Sequence, residues 1–167
     1  MSKRHNHALP RLWLMTDERM GAALIPAVER LPRGSGIVFR HYSLSRATRQ
    51  SLFRQIQRIA RARRLTLLSG GPGGEHGRRR GSLTAPVHSL RERVAAERNG
   101  ARLVFVSPVY STASHPGARA LGRVRFGLLI RGSKAPVIAL GGITRKRARS
   151  LSAFGIYGWA AISGLTG

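Results

Sequence analysis

Ser107-Pro108-Val109-Tyr110-Ser111-Thr112-Ala113-Ser114-His115-Pro116-Gly117, followed by Pro136-Val137-Ile138-Ala139-Leu140-Gly141-Gly142-Ile143-Thr144, is the part of the chain on which the fold turns. Each half places glycine or small hydroxyl residues straight after an apolar strand pattern. A backbone that approaches a phosphate needs this arrangement, because glycine lets N–H groups come close and Ser/Thr hydroxyls add donors. Two such strand ends, roughly 30 residues apart, point to the rim of a barrel of repeated strand–helix units.

Working outward, the same alternation runs through most of the chain. Arg11–Met15 reads as a first strand, followed by helical spacing from Met20 to Leu31 that stops before Pro32 and Gly34. Gly36–Arg40 is a second strand. Ser45 to Arg63 sets Leu52, Ile56 and Ile59 on one face with arginines opposite, an amphipathic helix with Ser45 as its N-cap. Leu65–Leu68 is a third strand. Ser69-Gly70-Gly71-Pro72-Gly73-Gly74 cannot be helical. Glu75-His76 is expected as a minimal fourth strand, Arg78–Gly81 as loop and Ser82–Val87 as a fifth strand. Ser89 to Asn99 reads as a helix closing at Gly100, a suitable C′ residue. Arg102–Val106, Pro136–Leu140 and Gly158–Ser163 complete the strands. Helices are expected over Ala118–Leu129 and, capped by Thr144, up to Phe154.

Strand–helix–strand order favours parallel strands with helical crossovers. Eight candidate strands favour a (β/α)₈ barrel over an open sheet. Such barrels typically need about 250 residues, with about 200 near the floor, and this chain has 167. The expectation is therefore a small (β/α)₈ TIM barrel whose third and fourth crossover helices, between Ser69 and Ser82, are shortened or missing. No linker or internal repeat interrupts it. We read residues 1–167 as one domain, with basic residues 1–10 as a flexible N-terminus.

Hydrophobic residues make up 42% of the chain, enough for a core despite the charge. There is no cysteine, which removes disulfide and thiolate chemistry. No apolar run reaches the ~20 residues of a membrane helix, and no signal-peptide core follows the basic start. The chain therefore reads as cytoplasmic with no membrane partner. Its 30 Lys+Arg against 6 Asp+Glu give a formal net charge of +24, a field that attracts polyanions. The arginines are scattered, with few of the interleaved aromatics on which single strands stack. The charge is thus either a polyanion surface or compositional decoration of helix faces. Carboxylate chemistry is confined to Asp17, Glu18, Glu29, Glu75, Glu92 and Glu97. Gly70–Gly74 lacks the Gly-Lys-Ser/Thr of a P-loop, and neither Ser107 nor Ser163 sits in a nucleophile elbow.

Leu12–Thr16, Val38-Phe39-Arg40, Ser107–Gly122, Ala139-Leu140-Gly141-Gly142-Ile143 and Ala161-Ile162-Ser163, in that order, resemble thiamine phosphate synthase and its relative the thiazole tautomerase. The resemblance is strong from Ala101 onward and weak from Ser69 to Ser89. It implies a small barrel with a phosphate site at the ends of its last three strands. It also implies a reaction that joins a pyrimidine pyrophosphate to a thiazole phosphate and releases pyrophosphate with Mg²⁺. Catalysis there is mainly charge neutralisation by metal and basic side chains. Carried over position by position, the family's Thr-x-Thr/Ser matches Thr112-Ala113-Ser114. Its second strand-end glycine matches Gly142, and its apolar-Ser pair matches Ile162-Ser163. These six residues are the expected phosphate-binding set.

The pyrimidine half matches poorly. Of the family's Gln-x-Arg-x-Lys only Arg40 remains, with Val38 and Tyr42 at the outer positions. The Asn-Asp pair aligns with Ser69-Gly70, the second acidic ligand falls in Gly77–Arg80, the Ser near Pro86, and the Lys at His115. With the family's carboxylate ligands absent, no metal site is assigned and no cofactor is expected with certainty. Arg78, Arg79 and Arg80 either replace the metal's charge or form a solvated run. The tautomerase histidine position is Pro108, with His115 nearby on the same loop. Arg40 and His115 are the catalytic candidates, as charge and proton handlers. His76 and His88 sit at other strand ends, and with His115 they make a three-histidine alternative without a metal-binding spacing. Trp13 and Tyr42 are candidates for contact with a ligand ring, Trp13 alternatively packing in the core. The expected partner is a small phosphate ester such as thiazole phosphate or thiamine phosphate, with nonspecific polyanion binding and a homodimer left open. The alternative function is a non-catalytic phosphate-ligand sensor or a basic nucleic-acid-binding module.

Overall fold

The computed structural model describes residues 8–112, 117, 119–162 and 165. Seven parallel strands run β1 (Leu12–Met15), β2 (Gly36–Phe39), β3 (Thr66–Ser69), β4 (Thr84–Val87), β5 (Leu103–Val106), β6 (Val137–Ala139) and β7 (Gly158–Ala161). Their order in the sheet is β3-β2-β1-β7-β6-β5-β4. The two edges are joined by one residue: His76 bridges in parallel to Gly70 beyond β3 and to Thr84 of β4. The His76 N–H donates to the Ser69 carbonyl at 3.1 Å, the Thr84 N–H to Glu75 at 3.0 Å and the Gly77 N–H to Thr84 at 3.0 Å. Glu75-His76 is thus the minimal strand that the sequence suggests, and the sheet curls into a TIM-barrel-like α/β fold.

Five α-helices are described: α1 (Leu24–Arg30), α2 (Arg46–Arg63), α3 (Leu90–Arg98), α4 (Gly122–Ile130) and α5 (Arg145–Leu151). None lies between β3 and β4, so both expected helix losses fall where the glycine run forbids helix. Ser45, Ser89 and Thr144 cap α2, α3 and α5, each accepting from the amide three residues on. The first expected helix is divided. Glu18–Ala23 is a 3-10 segment bent at Gly21, where φ is 47°, and α1 follows. The fourth expected helix begins only at Gly122, because Leu121 and Gly122 N–H groups are bonded to the Pro108 and Val109 carbonyls. The last helix continues beyond Leu151 as a 3-10 turn, Ser152–Phe154.

Strand side chains alternate between two apolar environments, which is why the strands read as continuous hydrophobic runs. Trp13, Met15, Val38, Leu68, Leu103, Phe105, Ile138 and Ala160 fill the barrel interior. Leu14, Ile37 and Phe39 face α1 and α2. Val104, Val106, Val137 and Ala139 face outward with Phe126 and Leu129 of α4 and Leu151 of α5. Trp13 is fully buried, edge-on to Phe105 at 5.3 Å, with its Nε1–H bonded to the Pro10 carbonyl at 2.7 Å. It packs in the core and does not line the barrel mouth.

His76 closes the ring as a neutral imidazole. Its Nδ1 lies 2.9 Å from Thr84 Oγ1, and its ring is edge-on to Phe105 at 5.0 Å. Burial, and secondarily the charge of Arg40, push its pKa from 6.5 down to about 4. Between these values the unfolded chain binds the proton that the folded chain refuses. Stability is therefore fully present above pH 6.5 and lost as pH falls toward 4, by up to about 3 kcal/mol. The His41 pKa is also lowered by burial and adds to the same slope. Urea unfolding at pH 7 and pH 5 should show this loss, and His76→Gln should flatten it. An unchanged slope in the variant would contradict the assignment.

Candidate phosphate site at the barrel mouth

The C-terminal ends of the strands surround a cavity of about 800 Å³, within the range of small-molecule pockets. Arg40 and Tyr42 follow β2, His88 follows β4, Ser107, Pro108, Ser111 and Thr112 follow β5, Leu140–Thr144 follow β6, and Ala161 and Ile162 end β7. The glycine-rich segment contributes Gly71, Pro72, His76, Gly77, Arg78 and Arg79. Four of the expected site residues, Arg40, Thr112, Gly142 and Ile162, thus meet in one cavity. Ala113, Ser114, His115 and Ser163 lie outside the described residues.

The β6 end is shaped by two left-handed glycines, Gly141 at φ 96° and Gly142 at φ 61°. A Cβ on Gly141 would lie 2.7 Å from Pro108 Cα, and one on Gly142 would lie 2.6 Å from the Ser111 carbonyl oxygen. The turn is therefore pressed against the segment after β5, and only glycine permits both the conformation and the approach. Val109 and Tyr110 N–H groups tie the two segments to the Leu140 and Gly141 carbonyls, each at 3.0 Å. Among the described residues the Gly141 and Gly142 amides have no protein acceptor, so these N–H groups are available to a bound anion.

Arg40 is held for work at the other side of the mouth. Its Nε donates to the Thr16 carbonyl at 2.8 Å and one Nη to Asp17 at 3.4 Å. Its pKa is lowered from the usual value, mainly by burial and partly offset by Asp17. Asp17 is itself held well below the usual carboxylate range, chiefly by its hydrogen bond from Arg19. His88 Nδ1 lies 2.9 Å from the Ser107 carbonyl. A carbonyl only accepts, so that nitrogen carries the proton and Nε2 keeps the lone pair in the neutral ring.

Two arginines that brace the barrel mouth escape sequence reading. Arg147 lines the cavity, donates to the Gly142 carbonyl at 2.6 Å and stacks over Tyr110 at 4.7 Å. It follows the Thr144 cap by three residues, a spacing that aims it back at the turn. Arg49 of α2 donates to the His41 and Gly70 carbonyls, both at 3.1 Å, binding the ends of β2 and β3. Of the expected loop arginines, Arg78 and Arg79 line the cavity, and Arg80 is not in its lining.

The lining contains no Asp or Glu among the described residues. Four of the six acidic groups are engaged by the scaffold: Glu18 with Ser43, Glu75 with the Ser69 amide, Glu92 with the His88 amide and Arg78, and Glu97 with Ser133 and the Lys134 amide. No group of three or more His, Cys, Asp or Glu able to hold a metal occurs among the described residues. A magnesium ion asks for hard oxygen ligands. This donor set of arginines, histidines and amides does not fit one. No helix among the described residues is long and apolar enough to cross a membrane.

The family model described as thiamine monophosphate synthase matches residues 78–165. The thiamine-phosphate synthase of Pyrococcus furiosus is 35% identical over 85 residues, 51% of this chain and 41% of that protein. The thiamine-phosphate synthase of Clostridium acetobutylicum is 33% identical over 79 residues, 47% of this chain and 37% of that protein. The matched region thus spans about two fifths of the length of these curated relatives. A solved structure of thiamine phosphate pyrophosphorylase from Pyrococcus furiosus superposes with a TM-score of 0.73 at 21% identity, covering 93% of this chain and 86% of that one, a likeness of fold. With more than half its length matched by that model, this chain belongs to the thiamine monophosphate synthase family.

Proposed function

We propose that this chain binds a small phosphate ester of thiamine biosynthesis, thiazole phosphate or thiamine phosphate, at the barrel mouth. Thr112, Ala113, Ser114, Gly142, Ile162 and Ser163 hold the phosphate, and Arg40 and His115 handle charge and protons. The observation that carries this reading is the Gly141-Gly142 turn. Its two amides lack protein acceptors among the described residues, and it is pressed against the Ser111 backbone in the wall of a cavity lined by Arg40 and Arg147. An oriented set of amides in a basic, partly enclosed site suits a dianion.

The second half of a synthase site is where this chain departs from its family. Coupling a pyrimidine pyrophosphate requires stabilising the departing pyrophosphate, and among the described residues no carboxylate lines the mouth to carry a magnesium ion for that purpose. The absence of lining carboxylates favours a second reading, ligand sensing without turnover. Purified protein given thiazole phosphate and pyrimidine pyrophosphate, with magnesium and with EDTA, separates the two. Thermal stabilisation by thiazole phosphate is expected in either buffer. Magnesium-dependent formation of thiamine phosphate at ordinary synthase rates would contradict the degenerate half-site, and no stabilisation by either ester would remove the phosphate reading.

A further inference from the structure

The glycine-rich segment between β3 and β4 is not a loose charged loop. Gly74 N–H donates to the Gly71 carbonyl at 3.0 Å, and Glu75 accepts the Ser69 amide at 2.9 Å. Asn99, just after α3, clamps the arginine run from both ends. Its Nδ2 donates to the Arg78 carbonyl at 3.1 Å, and its own carbonyl accepts the Gly81 amide at 3.0 Å. Ser82 N–H closes the turn onto the Arg79 carbonyl at 3.1 Å. The backbone that bears Arg78 and Arg79 is therefore fixed while their side chains stay exposed at the cavity. Arg78 also lies 3.3 Å from Glu92, a surface pair that an incoming anion can compete with. Across the same mouth stands Arg40, oriented by Thr16 and Asp17.

We propose that Arg40, Arg78 and Arg79 form a second anion subsite at the mouth, separate from the Gly142 turn, which holds a diphosphate group without a divalent cation. Guanidinium forks grip phosphate oxygens through paired charge-assisted hydrogen bonds, and several together supply the positive charge that a metal would otherwise bring. Among the described residues the lining has cations and no carboxylates, and the nearest acidic groups, Asp17 and Glu92, lie behind Arg40 and Arg78 as their partners. This proposal rests on the reading of the mouth as a phosphate-ester site. It adds the class of the second group and the means of holding it.

The test is calorimetric titration with inorganic pyrophosphate, in EDTA and then in excess magnesium. Three proteins are compared: the wild type, an Arg78→Ala/Arg79→Ala double variant, and an Arg54→Ala/Arg58→Ala control on the exposed face of α2, away from the cavity. The wild type is expected to bind in EDTA, with magnesium leaving affinity unchanged or weakening it. The mouth variant should bind at least about tenfold more weakly, the loss of one or two charge-assisted bonds, and the control should match the wild type. Binding only with magnesium overturns the proposal. Equal losses in the two double variants also overturn it, by assigning the effect to the general charge. Thiazole phosphate titrated in parallel keeps the two readings apart. Its retention by the mouth variant supports separate subsites. If the wild type fails to bind thiazole phosphate while still binding pyrophosphate, the Gly142 reading falls and the arginine subsite stands.

Discussion

Gly158→Ala is expected to destabilise the chain by about 3 kcal/mol or to prevent folding, at the upper end of overpacking costs because the obstruction is backbone. Gly158 opens β7, and its α-hydrogens face Arg11, the residue before β1. A Cβ there would fall on the Arg11 carbonyl oxygen, with the carbonyl carbon at 2.6 Å and Cα at 2.7 Å. That same carbonyl accepts the Trp159 N–H at 2.8 Å, the first bond of the β1–β7 seam. The strands cannot separate to admit the methyl group without breaking the seam in the middle of the sheet. Urea unfolding followed by circular dichroism measures the effect. A variant within about 1 kcal/mol of the wild type, below the usual overpacking range, would mean that the seam yields.

Gly142→Ala is expected to weaken thiazole phosphate binding roughly a hundredfold, the loss of about two charge-assisted hydrogen bonds of ~1.5 kcal/mol each. Gly142 adopts φ 61°, where an alanine costs about 1–2 kcal/mol. Its Cβ would lie 2.6 Å from the Ser111 oxygen and 2.9 Å from Tyr110 Cβ. The turn must then move away from the segment after β5, turning its amides off the phosphate and disturbing the Arg147 bond to the Gly142 carbonyl. Calorimetric titration gives the affinity, and unfolding of the same variant gives the smaller global cost. Undiminished affinity would mean that the phosphate, if bound, is held elsewhere.

The barrel was legible because several strands are buried on both faces, so runs such as Leu103–Val106 or Gly36–Phe39 carry a signal that survives without alternation. The loss of two crossover helices was legible too, since Gly70–Gly74 excludes helix and leaves room only for the bridge at His76. Breaks inside helices were harder to see. The kink lies at Gly21, where φ is 47°, and the late start of α4 depends on the Leu121 and Gly122 amides reaching the Pro108 and Val109 carbonyls, which no local pattern announces. Arg40, Thr112, Gly142 and Ile162, which the family resemblance marks in the sequence, are brought by the fold to one cavity. Arg147 and Arg49 could not be found in the sequence, because each acts on a carbonyl brought near only when distant strands line up around the ring. The carboxylate-free lining was visible as a shortage in composition. Its meaning required knowing that Asp17, Glu75, Glu92 and Glu97 are spent on capping and bracing the scaffold.

A crystal structure of the chain grown with thiazole phosphate in EDTA addresses the central claim most directly. The account predicts the ester phosphate within hydrogen-bond distance of the Gly142 amide, beside Thr112, with no metal between it and the protein. A phosphate bound away from that turn, or seen only when magnesium is restored, would contradict it.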